Sequence, residues 1–196
     1  RLLVAPAPAP AVAAMAASDI LRAITPLAIR PRSLTALVAI EQARGFKPSA
    51  VTRLAAMLPG AADAYSALAE RLRFSKAEAA RLAALARPLP TLGDDEAGVR
   101  RALFQSGNRE RYRQQALLAA AEGDAGDLDL RLRNAADWAW PKFPIGGLDL
   151  VELGVKPGPH IGEILRLVEG WWVRRDFAPD RDACLEAIQK SLNKTA

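Results

Sequence analysis

The chain has 196 residues and 21.0 kDa, is 51% hydrophobic and 25% charged, and has a mean hydropathy of +0.01. That is the makeup of a folded soluble protein with one large core or two small ones, and it excludes a disordered chain or a membrane-embedded one. One cysteine, Cys184, excludes an intrachain disulfide framework and leaves no Cys cluster for zinc, and one histidine, His160, excludes any site that needs two imidazoles.

The net charge is +5 with a pI ≈ 9.8, and most of the basic residues are arginine. The planar guanidinium fork suits phosphate oxygens, so this balance favours a polyanionic partner. An Ala- and Pro-rich composition also brings arginine with it, and solvated helix faces carry charge in any case. The opening segment RLLVAPAPAPAVAAMAAS is broken by three prolines and makes a poor signal-peptide core. No apolar run is long enough to span a bilayer, so the expectation is an intracellular, cytoplasmic chain. Its first residue is Arg1, which points to a processed chain or to a piece of a larger protein.

Ala, Leu and Arg dominate, β-branched runs are missing, and no stretch alternates with period two. The pattern predicts helices over 10–24, 33–44, 49–58, 61–72, 76–87, 95–105, 108–122, 126–139, 147–153, 160–175 and 179–192. Ser75-Lys76-Ala77-Glu78 reads as a capping box: the Ser hydroxyl accepts from the Glu78 N–H and the Glu carboxylate accepts from the Ser75 N–H. Pro88-Leu89-Pro90 then stops the helical pattern, which predicts two segments, 1–88 and 89–196. No repeat of fixed period is present, so the expected fold class is all-α, an irregular multi-helix array with no sheet.

Asp124, Asp127 and Asp129 are the acidic cluster that invites a metal reading. They fall where a helix begins, however, and side chains two residues apart point about 200° away from each other around a helix. Capping of helix N–H groups is the better reading, and no metal site is expected. Neither a P-loop nor a G-x-S-x-G turn occurs, and no catalytic centre is legible. The four tryptophans form two pairs, Trp138/Trp140 and Trp171/Trp172. Trp171 falls in step with Ile161, Ile164 and Leu167/Val168 on one helix face and reads as core, which makes Trp172 the better candidate for exposure beside Arg174 and Arg175.

The stretch FPIGGLDLVELGVKPGPHIGEIL, residues 143–165, carries the most turn chemistry. Gly154 stands where a helix C′ glycine belongs, and Pro159 suits the first position of the next helix. The backbone N–H groups of His160, Ile161 and Gly162 would then aim at an anion, with Lys156 beside them and Gly158 allowing close approach. A plain helix connector fits the same residues.

Residues 141–172, PKFPIGGLDLVELGVKPGPHIGEILRLVEGWW, resemble the C-terminal segment of bacterial CCA-adding tRNA nucleotidyltransferases and the related poly(A) polymerases. Gly147, Asp149, Leu150, Leu153, Gly154, Pro157, Gly158, Pro159, Ile161, Gly162 and Leu165 match that pattern. RLLVAPAPAPAVAAMAASDILRAI is similar to the family's neck and RLRFSKAEAARLAALARP to its body, while the likeness is weakest around 89–130.

The resemblance implies a neck-end, body and tail portion that binds tRNA. The catalytic head, with its metal-binding Asp pair, Mg2+ and CTP or ATP, would be a separate partner outside this chain. On that reading Lys142, Lys156, the backbone from Gly158 through His160 to Ile161, Arg174 and Arg175 are the expected phosphate contacts, and Arg109, Arg111, Arg113, Arg131 and Arg133 are of second rank. Two other readings stay open: a stand-alone RNA-associated or assembly protein, and a helical module that docks on protein.

Overall fold

The computed structural model describes residues 1–25, 27, 29–58, 62–87 and 89–192, without the side chains of 62–64, 191 and 192. Among the described residues there are twelve α-helices, a short 3-10 turn at Leu2–Val4 and no strand, so the expected all-α array is the observed one. The helices pack as two compact units, Arg1–Asp137 and Trp138–Ala196. The division therefore falls some fifty residues beyond the expected proline break, which joins two helices of the first unit; Pro88 itself lies outside the described residues.

The first unit holds α1 (Ala9–Ala17), α2 (Ile20–Ile24), α3 (Pro31–Ala43), α4 (Ala50–Met57), α5 (Ala62–Arg71), α6 (Lys76–Leu85), α7 (Glu96–Ser106), α8 (Arg109–Ala121) and α9 (Leu128–Asp137). The helix expected over 10–24 is two helices. The Ser18 hydroxyl donates to the Ala14 carbonyl and Asp19 turns left-handed, at φ 56°, which ends the first of them. The starts follow short polar side chains: Ser49, Asp95 and Asn108 accept N–H groups of α4, α7 and α8 at 3.2, 2.7 and 2.8 Å. The capping box closes as expected, with Ser75 N–H to Glu78 at 2.9 Å and Glu78 N–H to the Ser75 hydroxyl at 3.3 Å.

The core of this unit gathers Leu34, Val38, Leu54, Met57, Leu58, Leu68, Leu82 and Leu85. A second cluster, Leu37, Ala56, Leu117 and Ala121, ties α3 and α4 to α8. Buried among them is Arg53, 2% exposed. Its Nε donates to Glu41 Oε2 at 2.7 Å, and its Nη1 donates to the carbonyls of Leu3 and Ala5 at 2.7 and 2.8 Å. A charged fork thus fastens the first residues of the chain to α3 and α4.

The second unit holds α10 (Gly147–Glu152), α11 (Pro159–Arg174) and α12 (Arg181–Leu192). Ile145, Leu150, Val168, Trp172, Val173, Cys184 and Ile188 are its buried apolar residues. Phe143 and Phe177 lie against Trp172 with ring centroids 5.3 and 5.0 Å away, and Trp138 lies 5.2 Å from Phe177. This aromatic cluster supplies much of the apolar area that a unit of three helices needs.

Candidate nucleic-acid interface

The turn between α10 and α11 is built as its residues dictate. Gly154 takes φ 85°, and the N–H groups of Gly154 and Val155 donate to the carbonyls of Val151 and Leu150 at 2.9 and 3.0 Å, which closes α10 with a Schellman motif. At the start of α10 the Asp149 carboxylate accepts the Gly146 N–H at 2.6 Å and an Arg181 Nη2 at 2.5 Å. Those two donors hold the Asp149 carboxyl below the usual carboxylate range, the Gly146 N–H first. Asp149 therefore fastens the short helix to the beginning of α12.

Lys156, Pro157, Gly158, Pro159 and His160 are all exposed, and Ile161 is half-buried. One of the three expected anion donors is already used: the Ile161 N–H donates to the Gly158 carbonyl at 3.1 Å. The His160 ring lies over Gly158, where an added Cβ would meet its Nδ1 at 3.0 Å. What the turn offers a phosphate is therefore the Lys156 ammonium and the start of α11, with the His160 ring beside them.

Lys142, Arg174 and Arg175 are exposed too, but Arg174 and Arg175 do not join Lys156 in one cluster. The sixteen residues of α11 separate Lys156 from Arg174 and Arg175, a length of about 24 Å. Lys156 and the Arg174–Arg175 pair are thus separate basic points, one at each end of α11.

The tryptophan expectation is reversed. Trp172 is 2% exposed and donates its Nε1–H to the Pro179 carbonyl at 3.0 Å. Trp171 is half-buried at the surface with the Arg175 guanidinium 4.7 Å from its ring centroid. The helix turns its Val168 and Trp172 face inward, so Leu167, placed with the core in the sequence reading, is 70% exposed.

The second-rank arginines mostly serve their own unit. Arg131 is 2% exposed; its Nε donates to the Gly93 carbonyl at 3.1 Å, its Nη1 to Asp124 at 2.5 Å and its Nη2 to Asp94 at 3.4 Å. A Cβ at position 126 would stand 2.1 Å from this guanidinium, so Gly126 is the residue that lets it in. Arg131 is thus a buried brace, and its burial corrects the expectation that it meets phosphate. Arg109 donates to the Ala135 carbonyl at 3.0 Å, Arg111 to the Arg87 carbonyl at 3.1 Å, and Arg113 pairs with Glu110 at 2.6 Å over the Phe46 ring. Of this group only Arg133 is fully on the surface.

The acidic cluster is structural in the same way. Asp127 caps α9 through the Leu130 N–H at 2.9 Å, Asp129 accepts from Arg44 at 2.9 Å, and Asp124 holds Arg131. Arg131 first, and then the Gly126 N–H, keep the Asp124 carboxyl below the ordinary range. Burial pushes the Tyr112 hydroxyl up to about 12, so it stays a donor, and it donates to the Leu92 carbonyl at 2.5 Å. Among the described residues no three His, Cys, Asp or Glu side chains gather as metal ligands. No described helix is long and apolar enough to cross a membrane.

Fold and surface together define an all-α chain with an arginine-braced unit and a smaller unit that exposes lysine and arginine beside a half-buried tryptophan. In sequence it is similar to CCA tRNA nucleotidyltransferase 1, mitochondrial, of Mus musculus and of Homo sapiens, at 28% identity over 60 residues, 31% of this chain and 14% of each relative. The Danio rerio protein of the same name is 33% identical over 54 residues, 28% of this chain and 12% of the relative. The match thus spans a small part of the relatives' length, and no family model matches the chain.

Proposed function

We propose that residues 1–196 are the tRNA-binding portion of a protein similar to the CCA-adding nucleotidyltransferases, working in the cytoplasm. They would hold a tRNA while a catalytic head outside this span, the site of Mg2+ and of CTP or ATP, adds nucleotides to its 3′ end. The observation that carries this reading is the similarity to CCA tRNA nucleotidyltransferase 1. The exposed Lys156-Pro157-Gly158-Pro159 turn supports it, since an ammonium beside a helix start suits a backbone phosphate. Contacts to phosphate and 2′-OH read no sequence, which is what a protein serving every tRNA requires.

Binding of tRNA by the whole chain at several salt concentrations, against a duplex of similar size, tests the reading. Salt-dependent binding that prefers tRNA is expected, with Lys156→Glu lowering the salt slope by about one. No tRNA binding at low salt would overturn the assignment, and a slope unchanged by Lys156→Glu would remove that residue from it.

A further inference from the structure

We propose that the groove between α11 and α12 is a stacking site for an unpaired nucleobase of RNA. Trp171 would be its platform, and Arg175 and Lys190 the cations that meet the flanking phosphates. The inference rests on the RNA-binding reading above and adds to it a second mode of contact, with bases in single-stranded or looped RNA.

The groove encloses about 500 Å³ between the two helices. Leu167 and Trp171 form one wall, and the small side chains of Ala183 and Ala187, one turn apart on α12, leave the opposite wall low. Such a slot, apolar on its sides and of ligand-pocket size, takes a flat ring well. The Arg175 guanidinium carbon lies over the Trp171 ring, 4.7 Å from its centroid, so an aromatic ring and a cation already meet at the groove.

Charge selects the occupant. Among the described residues the charged ones along the groove are Arg175, Lys190 and Glu186, and this acid is held by Lys190 at 3.2 Å. Arg174 adds an exposed cation next to Arg175. Residues 138–196 contain eight Lys and Arg against eight Asp and Glu, so this unit has no net charge with which to attract a polyanion. Local cations around an apolar slot fit a nucleotide, whose base is apolar on its faces and whose phosphates lie at the edge. An apolar peptide would match Leu167 but would make no use of the Arg175 guanidinium at the edge of the groove.

The test compares three probes on the whole chain: a tRNA transcript, a twelve-nucleotide unstructured RNA, and a blunt duplex with no unpaired base. Trp171→Leu is expected to weaken tRNA and the single strand about tenfold, with Trp171→Phe retaining most of the affinity and duplex binding unchanged. Arg175→Glu leaves the packed ring in place and should lose affinity for the same two probes, which covers the case in which Trp171→Leu does not fold. If the wild type binds tRNA and both variants bind it equally well, the stacking site is overturned while the RNA-binding reading stands. If the wild type binds none of the probes at low salt, the RNA-binding reading fails and this one with it. A concentration-dependent dimer that Leu167→Glu dissolves would assign the groove to a second copy of the chain and overturn the proposal as well.

Discussion

Of the basic residues that the sequence singles out, those in 1–137 and those in 138–196 are mostly used in opposite ways. The whole +5 charge belongs to the first unit, since the cations and acids of the second cancel. Yet Arg53 and Arg131 of the first unit are buried, and Arg109, Arg111 and Arg113 donate within it. In the second unit Lys142, Lys156, Arg174 and Arg175 stand in solvent. Net charge describes the long-range field, but contact chemistry depends on which cations are exposed. The exposed candidates of the neutral unit are therefore Lys142, Lys156, Arg174 and Arg175, while the first unit exposes other cations, Arg32, Lys47, Arg73 and Lys76 among them.

The largest way to break this contrast is Arg53→Ala. It leaves the Glu41 carboxylate, whose side chain is 4% exposed, without its counter-charge, and should cost about 3–5 kcal/mol. Urea unfolding followed by far-UV dichroism measures the loss. Tryptophan emission read beside it reports residues 138–196 alone, because all four tryptophans lie there. The paired change Arg53→Met with Glu41→Leu removes both charges and should recover most of the stability.

Arg131 and Arg133 sharpen the contrast within a single helix. Arg131→Ala removes hydrogen bonds to Asp124 and to the Gly93 carbonyl and should cost about 2–3 kcal/mol. Arg133→Ala should leave stability within about 0.5 kcal/mol. If Arg133 contacts phosphate, its loss lowers the salt slope of tRNA binding, which Arg131→Ala does not do once folding is corrected for. Equal stability of the two variants would show that burial of Arg131 carries no energetic weight.

In the second unit Trp172→Phe keeps most of the ring packing but leaves the Pro179 carbonyl without its indole donor, at a cost of about 1–2 kcal/mol. Trp171→Phe at the surface should change the midpoint far less. Emission from the remaining tryptophans reports both. A larger loss from Trp171→Phe would return that residue to the core, where the sequence pattern had put it.

Much of the fold is legible in the sequence because it depends on local chemistry. The Ser75–Glu78 box, the Gly154 turn and the Asp127 cap each need only residues a few places apart, and each forms as the spacing dictates. Separations of 12 to 50 residues are another matter. Nothing near Arg53 announces that it will meet Glu41 and the Leu3 and Ala5 carbonyls, and the run of arginines in 109–113 reads as a basic surface until its acceptors are in place. The Trp171/Trp172 pair failed for a related reason. Both registers of α11 present an apolar stripe, and the choice is made by Phe143, Phe177 and the Pro179 carbonyl, which gather around Trp172 from other parts of the unit.

The smallest effect compares the acid sensitivity of the two units through Asp124 and Asp149. Each carboxyl is held below its ordinary range, Asp124 chiefly by Arg131 and Asp149 chiefly by the Gly146 N–H. A carboxyl depressed in the folded state binds its proton later than it does in the unfolded chain, whose value is about 3.9. The stability it contributes is therefore complete above that pH and is lost as the pH falls through the lower folded value. Urea midpoints should be level from neutrality to about pH 5 and then decline. Asp149→Asn keeps an acceptor for the Gly146 N–H but loses the charge opposite Arg181, so its tryptophan-detected midpoint should start lower at neutral pH and fall less in acid. The wild-type and variant curves should converge once the pH falls below the native carboxyl's own range and it too is protonated. Curves that stay parallel throughout would mean that the Arg181 contact positions α10 without stabilising it.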